Sequence, residues 1–216
     1  MRADLHCHTA ASKDSLTSLD EIVATCQRRH VDCLAVTDHN RLTILETDRL
    51  KVIPAEEIMT SAGEIIGLFL SHEIPARLSP TETVRRIKEQ GGLVYVPHPF
   101  DHFRRSARIQ PEALEAIAPF VDAVEGLNAR NIWPADDRRA RAWATAHELP
   151  LGAGSDAHTA NEIGTAYVEL DDFAGPAEFM DSLRQARIGG HNSPFWVHFY
   201  TAWAKWRKRS QFSSYR

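Results

Sequence analysis

The segment DLHCHTAASKDS, residues 4–15, places two histidines one residue apart behind a short apolar start. In a β-strand, side chains at positions i and i+2 point to the same face, so His6 and His8 would project together while Cys7 turns away. Such a pair can hold one metal ion from two sides. A polar edge strand that happens to contain histidine has the same pattern. The choice depends on whether further ligands follow along the chain.

Composition narrows the class of protein. The chain has 216 residues, of which 43% are hydrophobic and 25% charged, as in an ordinary soluble globular domain. A formal net charge of -4 disfavours a general nucleic-acid binder, which would carry a strong basic excess. The sequence has no apolar run of about 18 residues and no signal-peptide core, so we expect no membrane span and a cytoplasmic protein. The three irregularly spaced cysteines indicate reduced thiols.

Strand-like runs alternate with helical patterns along the chain. The helical run SLDEIVATCQRRH begins at Ser18, and Glu21 three residues later completes a capping box. About seven strands alternating with helices predict one α/β domain with a mainly parallel sheet, either a barrel or an open doubly wound sheet. The sequence contains neither a GxGxxG nor a GxxxxGK[ST] loop, which disfavours a nucleotide-dependent dehydrogenase and a P-loop NTPase.

The last 24 residues differ in character from the rest of the chain. The segment SPFWVHFYTAWAKWRKRSQFSSYR, residues 193–216, carries three of the five tryptophans and then a basic cluster. We therefore divide the chain into a domain over residues 1–192 and a C-terminal tail over residues 193–216. We expect the tail to be an amphipathic helix packed on the domain. The alternative is a helix that binds anionic lipid, RNA or a partner.

Residues able to bind a metal stand at the predicted C-terminal ends of nearly all strands. The carboxyl ends of parallel strands gather at one face of an α/β fold, where active sites are built. Eleven histidines without a function would not concentrate there, so we predict a site with several metals. The strand-end residues, in chain order, are His6, His8, Asp38, His39, Glu56, Glu57, Ser71, His72, His98, Glu125, Asn128, Asp156 and His158.

The donor types indicate which ions and which chemistry to expect. Imidazole nitrogens mixed with carboxylate oxygens suit manganese, iron or zinc rather than magnesium or calcium. The cysteines form no CxxC pair, which argues against a structural zinc knuckle. Two or three divalent ions bridged by a carboxylate can generate hydroxide near neutral pH and clamp the attacking and leaving oxygens of a phosphoryl transfer. Hydrolysis of a phosphate ester is therefore the expected reaction.

Five motifs carry a family resemblance. DLHCHTAASKDS, TDHN, IPAEEI, VPHPF and GSDAH follow one another over about residues 3–170, and in them the chain resembles the PHP (polymerase and histidinol phosphatase) family. The resemblance implies a distorted, TIM-like (β/α)7 barrel with mainly parallel strands. It also implies a trinuclear metal centre at the C-terminal ends of the strands, and hydrolysis of phosphate esters.

The resemblance further implies which residues bind the ions. Glu57, rather than Glu56, occupies the acidic position of the third motif and would bridge two ions, while Glu56 would face the other way. Asp14 stands where some relatives have histidine. The implied sets are His6, His8, Glu57 and Asp156 for the first metal; Glu57, His98 and one further residue for the second; and Asp14, His39 and His158 for the third.

The second metal has two candidate final ligands. Where many relatives have a histidine at the start of a strand, this chain has Glu64 in GEIIGLFL. Either Glu64 replaces that ligand, which we favour, or His72 at the other end of the run serves instead. A carboxylate there would favour manganese or iron over zinc. Asp38 is a further candidate, able to orient a ligand imidazole.

Other residues are candidates for the reaction itself. Arg104 and Arg105 follow VPHPF and could hold a substrate phosphate, because a guanidinium binds phosphate with two parallel hydrogen bonds. His158 or a metal-bound water would assist the leaving alcohol next to Asp156. Glu125 and Asn128 are assigned to the lining of the site.

Three functions fit this pattern. The leading hypothesis is a metal-dependent phosphomonoesterase acting on a small phosphorylated metabolite. The second is a nuclease or nucleotide phosphodiesterase whose basic, tryptophan-bearing tail would hold an oligonucleotide by charge and stacking. The third is a non-catalytic metal-binding module, which the nearly complete ligand set disfavours.

Overall fold

The structure is a computed structural model that describes residues 1–213, with side chains described through residue 210. The strands are β1 Arg2–Cys7, β2 Cys33–His39, β3 Lys51–Thr60, β4 Gly63–Leu68, β5 Leu93–Val96, β6 Ala123–Asn128, β7 Leu151–Gly154, β8 Ala166–Glu169 and β9 Arg187–Gly190. The α-helices are α1 Leu19–Arg29, α2 Pro80–Glu89, α3 Pro111–Ile117, α4 Pro134–Ala146, α5 Pro176–Arg184 and α6 Val197–Ser213.

The strands of the described chain form one sheet in the order β7-β6-β5-β4-β3-β2-β1-β8-β9. Parallel pairing joins β1 to β2, β2 to β3, β5 to β6 and β6 to β7. The segment after β7 then returns to β1, where the Asp156 amide donates to the His6 carbonyl oxygen at 2.8 Å and the His8 amide to that of Ala157 at 2.9 Å. The first seven strands therefore form a nearly closed barrel, which confirms the predicted distorted (β/α)7 fold.

Apolar side chains on both faces of the barrel strands explain why these segments read as continuous hydrophobic runs. Along β2, Ala35 joins the cluster inside the barrel, whereas Leu34 and Val36 pack outward with Ile22 of α1. The capping box predicted for α1 is present: the Glu21 amide donates to Ser18 Oγ, and Glu21 Oε2 accepts from the Ser18 amide at 2.9 Å. The packing of buried strands against capped helices therefore determines where the strands end and where their polar residues lie.

Strand β4 runs antiparallel to both of its neighbours. A tight turn after β3 reverses the chain, so that Glu64 pairs with Met59 and Leu68 with Ala55. The start of β4, and not its end, therefore lies beside the carboxyl end of β3. The expectation that Ser71 and His72 join the polar strand ends was wrong, because both lie beyond the far end of β4, where they are exposed.

The sheet continues past the barrel on the other side of β1. Strand β8 pairs antiparallel with β1, and β9 pairs antiparallel with β8. Strand β9 was not predicted from the sequence, because the residues IGG within it suggest a turn. These two strands cover an edge that β1 would otherwise leave open beside its parallel partners.

Helix α6 lies over the carboxyl ends of the barrel strands. The buried guanidinium of Arg130 donates to the Val197 carbonyl oxygen at 3.0 Å and to Thr201 Oγ1 at 2.5 Å. Lys208 Nζ donates to the carbonyl oxygen of Ala10, in the loop after β1, at 2.6 Å. The predicted helix thus exists within residues 193–213, while the end of the predicted tail, residues 214–216, lies outside the described residues. No helix in residues 1–213 combines the length and apolarity needed to cross a bilayer.

The close packing of β7 against β1, which closes the barrel, can be tested by a substitution at Gly154. A Cβ atom there would lie 2.3 Å from His6 Cβ and 2.7 Å from Glu125 Oε1. We expect Gly154→Ala to lower the free energy of unfolding by about 1–3 kcal/mol, as overpacking does elsewhere. Urea denaturation of the metal-free protein measures this loss.

Gly175→Ala is the matched control, because a Cβ at Gly175 would meet no atom within 4 Å. Its cost should stay below about 1 kcal/mol, the effect of losing glycine at a helix N-cap. Equal stabilities for the two variants would contradict the close packing of β1 against β7.

Candidate metal centre

The carboxylate of Glu57 lies at the centre of the strand-end cluster and is 1% exposed. Its Oε1 lies 3.1 Å from His98 Nε2 and 3.4 Å from His6 Nε2. Its Oε2 lies 2.9 Å from His39 Nδ1 and 3.5 Å from His8 Nε2. One carboxylate on β3 therefore faces four imidazoles that come from the ends of β1, β2 and β5.

Asp156 closes this cluster from the side of β7. Its Oδ1 lies 3.3 Å from His8 Nε2 and 3.7 Å from His6 Nε2. Asp156 has a φ of 52° and His98 has a φ of 29°, in the left-handed region that few non-glycine residues occupy. Such conformations concentrate at functional sites, because the surrounding structure has to hold them in place.

Glu64 reaches the cluster because β4 is antiparallel. Its Oε1 lies 3.5 Å from His39 Nδ1, and its Oε2 lies 3.7 Å from His98 Nε2. His72, the other candidate for the same role, lies at the opposite end of the strand, with its Nδ1 3.1 Å from Ser71 Oγ. Of the two candidates, the fold brings only Glu64 to the cluster.

Asp14 approaches the opposite side of the cluster from the loop after β1. Its Oδ2 lies 3.4 Å from His39 Nε2, and its Oδ1 lies 3.5 Å from His158 Nε2. The hydroxyl of Ser12 supports this loop, accepting from the His39 amide at 2.9 Å and lying 3.2 Å from His8 Nδ1. The nine predicted ligands thus converge at one site.

The donor set fits divalent cations. Asp14 Oδ1, Glu57 Oε2 and His39 Nδ1 are buried within the cluster and, although they lie close to other members, none of them meets a partner in hydrogen-bonding geometry. Buried polar atoms are nearly always paired. A cation supplies such a partner. Four overlapping groups place one ligand atom of each member within 4.8 Å of the others: His6 with His8 and Asp156; His6 with Glu57 and His98; His39 with Glu57 and Glu64; and His8 with His39 and His158.

Burial and neighbouring side chains in the cluster shift the pKa values of its two glutamates. Burial alone would raise the pKa of Glu57, but His39 and His6 hold it well below its usual value. Burial and the neighbouring Glu57 raise the pKa of Glu64 to about 7. A bound cation would lower that pKa again, because positive charge favours the ionised carboxylate.

His158 is held in the form that binds metals. Burial and the Arg130 guanidinium lower its pKa to about 3, so the ring is neutral at neutral pH. Its Nδ1 lies 2.8 Å from the Asp156 carbonyl oxygen and therefore carries the proton. The lone pair on Nε2 then faces Asp14 and the cluster.

Glu125 has a more definite place than the lining role assigned to it. Its Oε1 lies 3.1 Å from His6 Nδ1, which turns His6 Nε2 toward Glu57. Its Oε2 accepts from the His98 amide at 2.9 Å and from Asn128 Nδ2 at 2.8 Å. The position of Glu125 at a strand end was visible in the sequence, but its partner on β1, 119 residues away, was not.

Asp38 and Glu56 face away from the cluster. Asp38 accepts from the Thr9 amide at 2.7 Å and from Thr9 Oγ1 at 2.6 Å, so it holds the loop after β1 rather than a ligand imidazole. Glu56 Oε2 accepts from the Ile74 amide at 2.8 Å, on the other face of β3 from Glu57. Strand alternation explains the outcome for Glu56.

The two candidate arginines separate in space. Arg104 Nε donates to Asp101 Oδ2 at 2.6 Å, and its guanidinium also contacts Asp156 and Asn128 beside the cluster. Arg105 is exposed and lines a neighbouring cavity instead. Of the two arginines, Arg104 is therefore the one that lies beside the cluster.

A cavity of about 580 Å³ lies between the cluster and α6. Phe195, His198 and Lys205 of the tail line it opposite the predicted ligands. Lys205 Nζ lies 3.2 Å from Asp14 Oδ2, and the His198 ring is 5.1 Å from that of Phe103. These tail residues were not predicted at the site, because the sequence shows only their basic and aromatic character and not where the helix packs.

Two family models match the chain. A family model described as PHP domain matches residues 4–113, and one described as PHP-associated matches residues 134–188. The chain belongs to the PHP family. As a PHP protein it is a metal-dependent hydrolase of phosphate esters, which confirms the coarse activity expected from the motifs.

Three known proteins show how far the likeness extends. An uncharacterized protein of Methanocaldococcus jannaschii is 38% identical over 193 residues, which cover 85% of this chain and 79% of that protein. A two-domain protein of Bacteroides vulgatus, containing a predicted PHP-like metal-dependent phosphoesterase, has a TM-score of 0.70 at 19% identity, covering 88% of this chain and 65% of that one. Endonuclease Q, solved with a 27-mer duplex bearing an abasic lesion at the active site, has a TM-score of 0.65 at 15% identity, covering 88% of this chain and 60% of that one. The two solved proteins share the fold, and this chain spans less than two thirds of either.

The contact between Glu125 and His6 predicts a metal-retention defect. Glu125→Ala should weaken metal binding by about 10–100-fold, as losses of ligand-orienting carboxylates do elsewhere. Competition with a chelator, followed by metal analysis, measures the effect. Glu112→Ala, at an exposed position of α3, is the control and should retain metal like the unmodified protein. Equal retention in both variants would mean that His6 needs no orienting carboxylate.

Proposed function

We propose that this PHP protein is a phosphomonoesterase of small phosphorylated metabolites that uses two or three ions of manganese, iron or zinc. The observation that carries the proposal is the buried Glu57 carboxylate facing four imidazoles. In this proposal the metal ligands are His6, His8, Asp14, His39, Glu57, Glu64, His98, Asp156 and His158. Glu64 in place of a histidine favours manganese or iron over zinc.

The proposed ions, when bound, supply positive charge to the phosphoryl oxygens and lower the pKa of water. Around them, Arg104 presents a guanidinium that Asp101 and Asn128 hold in place. A guanidinium so fixed can bind a phosphate through two parallel hydrogen bonds. Lys205 on α6 adds a second cation from above, and the helix reduces the access of water to the cavity.

Asp156 and His158 act in this proposal by holding ions rather than by moving protons. Burial alone would raise the pKa of Asp156, but Arg104 and His6 hold it well below its usual value, so it stays ionised. The low pKa of His158 likewise favours the neutral ligand form over a proton donor. No side chain of the cluster has to form a covalent intermediate.

A nuclease is the second candidate function. Trp196 and Trp206 of the tail are 70% and 66% exposed, and Arg207 follows Trp206 in the sequence and lies over the ring of Trp203 at 5.3 Å. Exposed aromatic rings next to cations can stack the bases of a single strand. The reported relative with a DNA duplex at its active site has the same fold. A cytoplasmic location remains part of the prediction for either function.

Removal of Asp156 tests the phosphoesterase proposal. With manganese added, we expect the protein to hydrolyse p-nitrophenyl phosphate and Asp156→Asn to lose at least about 100-fold in rate, because one group of proposed ligands is broken. The exposed Asp171→Asn is the control and should keep full activity. An unchanged rate in Asp156→Asn would refute the assignment. Cleavage of an oligonucleotide without cleavage of small esters would favour the nuclease.

Metal counting tests the choice between Glu64 and His72. Glu64→Gln should retain about one ion fewer per chain than the unmodified protein, because an amide is a poorer ligand than a carboxylate. His72→Ala should retain the full number. Elemental analysis of the purified proteins gives the ratio, and a loss in His72→Ala alone would reverse the assignment.

A further inference from the structure

A second cavity, of about 550 Å³, opens beside the cavity of the metal centre. The two cavities share Lys13, Met59 and Ser106 in their linings. The cavities are therefore neighbours on the same face of the barrel. We call the second one the cationic cavity, because Lys13, Arg77, Arg105 and Arg108 line it.

The charge of the cationic cavity is uncompensated. Its lining contains no aspartate or glutamate. In the part of the chain that the structure describes, Lys13, Arg77, Arg105 and Arg108 make no side-chain hydrogen bond or ion pair. By contrast, Arg85 on α2 pairs with Glu82. In a protein with a formal net charge of -4, four unpaired cations around one cavity repel one another and attract an anion.

Three separate chain segments bring the cations together. Lys13 lies in the loop after β1, Arg77 precedes α2, and Arg105 and Arg108 follow β5. Arg77 has a φ of 66°, and its amide donates to the Met59 carbonyl oxygen at 2.7 Å. A single solvated run of charge along the sequence would not produce this convergence.

The cationic cavity is tied to the metal centre through β4. The Glu64 amide donates to the Ala107 carbonyl oxygen at 2.8 Å. Directly before Glu64, Gly63 has a φ of 115°, and a Cβ there would lie 2.4 Å from the Arg108 carbonyl oxygen. The start of β4, which places Glu64 in the cluster, therefore also contacts the backbone of the loop that carries Arg105 and Arg108.

We propose that the cationic cavity binds a second phosphate group of the substrate whose first phosphate reaches the metal centre. The inference rests on the proposed phosphoesterase function and extends it, because it makes the substrate a phosphate ester with at least two phosphate groups. Lys13, adjacent in sequence to Asp14, stands between the two sites. Arg105 then binds the second phosphate in the cationic cavity, whereas Arg104 binds the first phosphate at the metal centre.

Equilibrium binding of phosphonates that cannot be hydrolysed tests this inference without turnover. Calorimetry compares 1,4-butanebisphosphonate with butylphosphonate on the full-length, metal-loaded protein. We expect the bisphosphonate to bind at least about tenfold tighter, since a charge-assisted contact contributes about that factor. The double variant Arg77→Gln/Arg105→Gln should lose that preference and still bind butylphosphonate.

Arg49→Gln is the matched control, because Arg49 is exposed near the start of β3, at the other end of the barrel. It should keep the preference for two phosphonates. Equal binding of the two ligands by the unmodified protein, or an unchanged preference in the double variant, would overturn the inference. Hydrolysis of p-nitrophenyl phosphate, measured in parallel, tests the proposed function separately.

A second arm identifies the source of the second phosphate. An eight-nucleotide phosphorothioate oligothymidylate resists cleavage and carries its phosphates on one strand. If it binds tighter than the bisphosphonate and loses this advantage in the double variant, the second phosphate belongs to a nucleic-acid backbone. If the bisphosphonate binds tighter and the double variant loses that preference, the substrate is a small molecule with two phosphates.

Discussion

The buried charge of Glu57 is the constraint on which the rest of the site depends. An ionised carboxylate with 1% exposure is strongly unfavourable in a protein interior unless nearby positive charge compensates it. Here the compensation comes from imidazoles at the ends of β1, β2 and β5, and, in the proposed function, from divalent ions. These strand ends meet at one point only because the barrel is nearly closed, so closure of the fold and charge balance of the site depend on each other.

Two departures from a regular barrel add charged groups to this centre. The antiparallel β4 brings Glu64 beside the histidines, where a parallel strand would have carried it to the other end of the barrel. Helix α6 adds Lys205 from outside the barrel, held in place by the buried Arg130. In both cases the placement of a chain segment, rather than a new motif, brings a charged group to the centre.

The face of the barrel that carries the site is divided in charge. The metal centre gathers carboxylates and imidazoles, whereas the cationic cavity beside it gathers unpaired lysine and arginine side chains. Because the start of β4 joins the two regions, a substrate that spans both would be held at a fixed distance. In the proposed function, with cations at the metal centre, such a division favours a substrate with two phosphate groups over a monophosphate, since each phosphate then meets positive charge.

The sequence by itself determined the local elements and the identity of the metal-competent residues. Alternating apolar patterns and the capping box at Ser18 predicted the local elements, because these depend on short-range periodicity and residue type. The barrel and the proposed ligands followed from the resemblance of five ordered motifs to the PHP family. Only the tertiary structure decided that Glu64 rather than His72 meets the cluster, that Glu125 orients His6, and that α6 lies over the cavity. The physical reason is that hydrophobic periodicity records burial but not strand direction, and contacts between residues more than a hundred positions apart leave no local trace.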